Sequence, residues 1–292
     1  MIAGRRRVLG GFTALAGVAA AAAINAQAQT SASASAAATA AADKPLKGKA
    51  AIVTGARNNQ GRAYAAALAA MGADVLVHYH RAETKDQAEE TARMVRANGA
   101  KAVLVQGDLA DLPNVKMVFD AAQSNFGRID VLVNTVGFIV KKPMAEITET
   151  DYERSHRANT KAMLFCMQEA ARRMGDNGRI INIGTSLTAG SAPGYSLYAG
   201  TKASGEEFVR MLSKEIGKRG ITVNNIAPGP LDNPFFHQAE TPQSAAFAAN
   251  LSVSGRLGKE SDITPVVAFL AGPQSQWVNG QTLFVNGGYL TR

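Results

Sequence analysis

From residue 46 onward the sequence predicts a single doubly wound α/β domain, a parallel sheet covered by helices on both faces. Three observations predict it. Short continuous runs of apolar, β-branched residues alternate with longer segments of helical periodicity. The first such run is followed by a glycine-bearing turn, TGARNNQG at Thr54–Gly61. No break long enough to separate a second domain interrupts the alternation. Strands buried on both faces read as unbroken apolar runs, and helical crossovers between parallel strands are right-handed, so the alternation specifies this architecture.

The chain begins with MIAGRRRVLGGFTALAGVAAAAAINAQAQ, a basic cluster, an apolar alanine-rich stretch and a small-residue Ala26-Gln27-Ala28 pattern. Residues 1–28 are read as a cleavable export signal, and Arg5-Arg6-Arg7 before Val8-Leu9 resembles a twin-arginine signal directing the protein to the periplasm. The apolar run is short and mostly alanine, which argues against a stable membrane span in the mature form. Residues 29–45 are almost wholly Ala, Ser and Thr through Ala42 and are read as a flexible linker. The domain is then 46–292.

Strands are expected at Ala50–Thr54, Asp74–His78, Ala102–Gln106, Val131–Asn134, Ile180–Gly184, Thr222–Ile226 and Thr282–Val285. Helices are expected at Arg62–Met71, Thr84–Asn98, Leu112–Phe126, Asp151–Met174 and Ser196–Gly217. Leu231–Leu251, mixing aromatic and small residues, has the composition of a lid.

The 292 residues carry 46% hydrophobic residues and a formal charge of +8, which falls to +5 without the three arginines of the leader. The remaining positive charge is scattered and not interleaved with aromatics, which excludes nucleic acid as an expected partner. Cys166, the single cysteine, lies in an apolar helical run and is read as core. No Cys/His spacing suggests a metal site.

In a sheet of this kind, phosphate groups bind where the first strand turns into its helix, because the helix start presents free N–H groups and partial positive charge. Gly55 and Gly61 would let the chain turn tightly and let phosphate approach the backbone. A third glycine is expected at position 59, where Asn59, tolerant of positive φ, stands. At the end of the second strand, where an acid would hold a ribose 2′-hydroxyl, the run is VLVHYHRAE and Tyr79 occupies the place. His80 and Arg81 follow, and Arg57 projects from the glycine turn. A cationic, acid-free corner suits a 2′-phosphate, so NADP(H) is expected rather than NAD(H).

The segment from about Leu46 to Tyr289 resembles the short-chain dehydrogenase/reductase family. The resemblance is carried by TGARNNQG, Asp108 in GDLAD, NTVG at Asn134–Gly137, Asn159 in RANTKAML, YAGTK at Tyr198–Lys202, Pro228-Gly229-Pro230 and the terminal GQTLFVNGG. HYHRAE is similar to the matching stretch of pteridine reductases, and the tail to ketoacyl reductases. The resemblance implies a Rossmann-type fold and an oxidoreductase acting on a small carbonyl or alcohol. It implies that Asp108 meets the adenine with Leu109 beside it, that Asn134 and Gly137 back the ribose and nicotinamide, and that Pro228, Gly229 and Leu231 border the nicotinamide. It also implies a homotetramer, or a homodimer, formed through the two long helices and the last strand. NTVG replaces the usual Asn-Asn-Ala-Gly, and Asn233 stands where Thr is common.

Tyr198 and Lys202 are four residues apart and share one helix face. A phenol can supply a proton to a reacting oxygen if a partly desolvated ammonium draws its pKa down from about 10, and two or three units would need roughly 3–4 kcal/mol. Tyr195, seven residues from Lys202, is expected at the substrate mouth or in local packing. Thr185, where relatives carry Ser, is the second candidate hydroxyl, with Ser186 as the alternative if the loop is displaced by one. Asn159 would hold a water linking Lys202 to solvent. Phe138, Tyr195, Phe235, Phe236 and His237 either line an apolar substrate pocket or pack the lid or a subunit contact. Two other readings stay open: reduction of a pterin-like C=N bond, which an acid at Thr185 would have favoured, and a non-catalytic NADP(H)-binding sensor or scaffold.

Overall fold

The computed structural model describes residues 44–291. The predicted signal segment and nearly all of the predicted linker lie outside the described residues, and Leu46, 4% exposed, is the first buried side chain of the domain. Seven strands form one sheet: β1 (Ala50–Val53), β2 (Asp74–Tyr79), β3 (Ala102–Gln106), β4 (Val131–Asn134), β5 (Arg179–Ile183), β6 (Thr222–Pro228) and β7 (Thr282–Val285). Every pairing is parallel and the order is β3-β2-β1-β4-β5-β6-β7. The chain winds outward from β1 to β3, then crosses back to β4 on the other side of β1. That reversal opens a crevice at the carboxyl ends of β1 and β4.

The helices follow from the alternation of β1. Ala51 and Val53 point to one face, into a core shared with α1 (Asn59–Ala70), α2 (Lys85–Ala97) and α9 (Glu260–Ala271). Ile52 points to the other, into a core shared with α3 (Leu112–Phe126), α5 (Ala162–Arg173) and α6 (Ser196–Ile216). Fully burying an aliphatic or aromatic side chain stabilises by roughly 1.5–3 kcal/mol, so both faces must be covered. Cys166 lies in the second core, 0% exposed, and burial pushes its thiol up to about 12.

One expected element is corrected. The expected continuous helix Asp151–Met174 is α4 (Glu149–Ser155) and α5 joined by a π-helical turn at His156–Lys161. One extra residue per turn rotates the side chains there and brings Asn159 inward, fully buried. The segment expected as a lid contains α7 (Pro234–His237) and α8 (Pro242–Leu251), each begun by a hydroxyl or amide side chain bonded to a first-turn N–H and by proline. Helix α9 had no counterpart among the expected elements; its weak amphipathicity hid it.

Candidate active site

The glycine turn between β1 and α1 adopts the backbone its sequence demands. Gly55 has φ of 62° and Asn59 has φ of 46°, so asparagine takes the left-handed conformation expected of a glycine. A Cβ on Gly61 would lie 2.8 Å from Ala56 Cα, so no side chain fits there. Helix α1 opens without an acid in its first turn and without a side-chain cap on its N-terminal N–H groups, facing the crevice. The turn is pinned from behind: Gly55 N–H donates to His78 Nδ1 (3.0 Å), and His78 Nε2, which must then carry the proton, donates to Gly107 O (2.9 Å). Burial holds His78 near pKa 4, so it is a neutral structural ring and not a ligand cation.

The crevice is a cleft of about 1100 Å³ whose lining includes Gly55, Arg57, Asn59, His80, Arg81, Asp108, Leu109 and Gly137. Burial, and then the charges of Arg81 and Arg62, hold Arg57 below the ordinary guanidinium pKa, a sign that like charges are crowded into this corner. Tyr79 is packed into the core, so no carboxylate ends β2. Asp108 uses Oδ1 to accept Ala110 N–H (2.9 Å), and its Oδ2 lies 3.5 Å from Arg157 Nη2. This donor set fits a 2′-phosphorylated dinucleotide: uncapped helix N–H groups and a glycine turn for the pyrophosphate, and unpaired guanidinium charge for the extra phosphate.

A second cavity of about 410 Å³ abuts the first, and both are bordered by Gln60, Asn233 and Phe235. Tyr198 and Thr185 line it, with Pro228, Gly229 and Leu231. Thr185 follows β5 by two residues and Tyr198 lies in the first turn of α6. Burial pushes the Tyr198 phenol well up, and a hydrogen bond from Thr185 partly offsets this. Ser186 is turned away, donating to Ala227 O (2.8 Å). Lys202 is 3% exposed and donates to Ile183 O (2.8 Å) and Val136 O (3.3 Å). Burial lowers it to about 8. Its ammonium is directed at two carbonyls, and burial is the largest influence on the phenol in this structure.

Other expected residues sit elsewhere than anticipated. Asn134 does not line the cleft; it accepts from Thr54 Oγ1 (3.0 Å) and donates to Met163 O (3.1 Å), bracing β1 against α5. Thr135, the departure in NTVG, bonds back to Thr54. Asn159 clamps the Phe138 backbone, accepting its N–H (2.7 Å) and donating to its carbonyl (2.8 Å). Asn233 caps α7 through Phe236 N–H (3.2 Å) and donates to Glu260 (2.8 Å). Of the five pocket aromatics, Tyr195, Phe235 and Phe236 line the smaller cavity. Phe138 instead lies in the cleft, with the Arg154 guanidinium 4.0 Å from its ring, and His237 pairs outside with Asp232 (2.8 Å). Sequence reading missed Lys141, Glu240 and Tyr289, which line the smaller cavity from three distant segments and form no motif.

A family model described as enoyl-(acyl carrier protein) reductase matches residues 55–290. The Serratia marcescens short-chain dehydrogenase/reductase superposes with a TM-score of 0.80 at 34% identity, over 84% of this chain and 99% of that one. The chain belongs to the short-chain dehydrogenase/reductase family. Within that family it is 38% identical over 258 residues to the Arabidopsis thaliana NADPH-dependent aldehyde reductase-like protein, covering 84% of this chain and 96% of the relative. A Burkholderia cenocepacia protein with bound NADP superposes with a TM-score of 0.82 at 39% identity, over 86% of this chain and 97% of that one. Among the described residues no His, Cys, Asp and Glu group could hold a metal ion, and no helix is long and apolar enough to cross a membrane.

Proposed function

We propose that the protein is an NADPH-dependent reductase of ketones or aldehydes, working in reverse as an alcohol dehydrogenase, with Tyr198 as its acid and base. The observation that carries this reading is the abutment of a cationic, glycine-floored cleft with a smaller pocket into which Thr185 and Tyr198 face. NADP(H) dependence is supported by the cluster of Arg57, Arg81 and His80, the last of them 3.7 Å from Asp108, and by the cofactors named for the Arabidopsis and Burkholderia relatives. Gly55, Asn59 and Gly61 would hold the pyrophosphate, Asp108 and Leu109 the adenine end, and Gly137 the nicotinamide end.

The bound cofactor supplies the hydride. The chain supplies the rest. Because burial keeps the Tyr198 phenol protonated at neutral pH, it stands ready as a donor to the oxygen on which negative charge develops. Thr185 Oγ1 hydrogen-bonds the same oxygen and orients it. Lys202, lowered to about 8, still carries its proton at pH 7, and its charge one turn from Tyr198 would favour the phenolate left behind, with a water near Asn159 resupplying the proton. Pro228, Leu231 and the lid exclude water from the junction.

An NADPH-oxidation screen over aldehydes, ketones, quinones and pterins, run beside NADH, tests the reading. Tyr198→Phe should lower kcat by at least about a hundredfold while leaving the NADPH Kd within about twofold. Full activity in that variant would sink the mechanism, and turnover of pterins alone would favour C=N reduction.

We also propose that residues 1–28 direct export by the twin-arginine route. Replacing Arg5, Arg6 and Arg7 with Lys should leave the protein in the cytoplasm on cell fractionation; unchanged periplasmic yield rejects that route. We further propose a homotetramer. Its support is a set of exposed apolar side chains on the two long helical segments, Tyr152, Leu164 and Met211, and near β7, Phe269 and Trp277.

A further inference from the structure

Among the described residues lining the smaller pocket, Glu240 is the single carboxylate, and its side chain is only 6% exposed. It lies between α7 and α8, in the lid, while two of its partners, Lys141 and Tyr195, belong to the body of the domain. Its Oε2 is 2.6 Å from Lys141 Nζ, and its Oε1 accepts the Tyr195 hydroxyl proton. Burial alone would raise its carboxyl, but hydrogen bonds from Lys141, Ser244 and Tyr195 outweigh that and leave it lowered, hence ionised. An ionised carboxylate can only accept. The proton of Tyr195 is therefore committed, and burial and Glu240 both push the Tyr195 phenol up, so it stays a neutral phenol. What Tyr195 has left for a ligand is lone pairs. Lys141 Nζ, bonded to Glu240, also lies 5.2 Å from the Tyr195 ring centroid. The Tyr195 and Tyr198 rings lie edge to face with centroids 6.1 Å apart, both on the pocket wall. Two neighbouring phenols thus have opposite polarity toward a ligand: Tyr198 has a proton to give and Tyr195 has none.

We infer that Tyr195, its proton fixed on Glu240, is a specificity-determining acceptor that selects carbonyl compounds bearing a second, hydrogen-bond-donating group over those bearing only an acceptor there. The inference rests on the proposed carbonyl chemistry for its substrate class, and Glu240 acts through Tyr195 as a positioning residue. A pocket built to pair with a donor rejects the analogue lacking one, because its own polar group is left unpaired.

The test is calorimetric titration of the full protein with NADP⁺ present, using amino- and cyano-substituted acetophenones, meta and para, as the donor and acceptor probes. The wild type should bind the better-placed amino isomer about tenfold tighter than its cyano counterpart. In Glu240→Gln, Lys141 holds the new amide by its oxygen, the amide nitrogen faces Tyr195, and the phenol must turn its proton into the pocket. The ratio should then fall to about one or invert. In Tyr195→Phe it should be about one. A lid latch with no role in selection would instead weaken both probes equally in both variants. Equal loss, a wild-type ratio near one, or no binding of either probe overturns the inference. Because binding is read without turnover, loss of activity in Tyr198→Phe reports separately on the reductase reading: selective binding with no turnover of any carbonyl would reject that reading and leave Tyr195's role standing.

Discussion

At the residue scale, the site depends on which charges are desolvated and which are directed. Tyr198 and Lys202 share a helix face, as four-residue spacing requires, but spacing does not say where the ammonium points. It points at the carbonyls of Ile183 and Val136, and the phenol is governed by burial. Discrimination between cofactors is likewise a matter of single side chains. Arg57 and Arg81 border the cleft without a carboxylate at the end of β2 to repel a phosphate. Replacing both with Ala should weaken NADPH binding by about 10–100-fold and leave NADH binding nearly unchanged, since a charge-assisted bond to phosphate contributes roughly 1.5–3 kcal/mol. Titration of the double variant with each cofactor checks this, and parallel losses for NADH and NADPH would reject it.

At the element scale, the glycine turn is positioned by its neighbour in the sheet. His78 on β2 ties Gly55 to Gly107, linking the start of α1 to the end of β3 through one imidazole. The histidine is held neutral, with a folded pKa of about 4 against an ordinary 6.5. Below pH 6.5 the unfolded chain binds a proton that the folded chain refuses. Stability should therefore be lost progressively as pH falls from 6.5 toward 4, by up to about 3 kcal/mol. His78→Gln, which does not titrate, should flatten that part of the profile in denaturant unfolding at a series of pH values; an unchanged slope would show that other groups carry it. The π-helical turn works at the same scale. It sets Asn159 against the backbone of Phe138, which lines the cleft. A uniform helical reading of 151–174 hides this, because the extra residue is a tertiary accommodation and leaves no local sequence mark.

At the scale of the whole molecule, exposed apolar side chains include Tyr152, Leu164 and Met211 on α4, α5 and α6 and Phe269 and Trp277 around α9 and β7, with others on α2, α3 and α8. If these surfaces join four copies, Leu164→Glu with Met211→Glu should break the assembly to dimers or monomers in light scattering while the circular dichroism spectrum stays native. A wild-type chain that is monomeric at micromolar concentration would refute the tetramer. The fold itself was legible in the sequence. Seven strands and their order of appearance could be read because a strand buried on both faces has to be apolar throughout, and the glycine turn because only glycine or asparagine tolerates its backbone. Periodicity alone could separate Tyr198 from Tyr195 as the partner of Lys202. Three things could not be read. Ser186 and Thr185 differ only in which way adjacent side chains of a loop turn, and the contact to Ala227 decides that. Asn134 looks like a ligand residue in a motif and is a brace in space. The Lys141–Glu240–Tyr195 network joins residues up to 99 positions apart in the chain. Sequence by itself determined what is local or periodic: the elements, the turn and the spacing of Tyr198 and Lys202. Tertiary structure alone decided the direction of each proton and the partners of each charge, because hydrogen bonds and desolvation depend on distances between segments that a linear pattern does not encode.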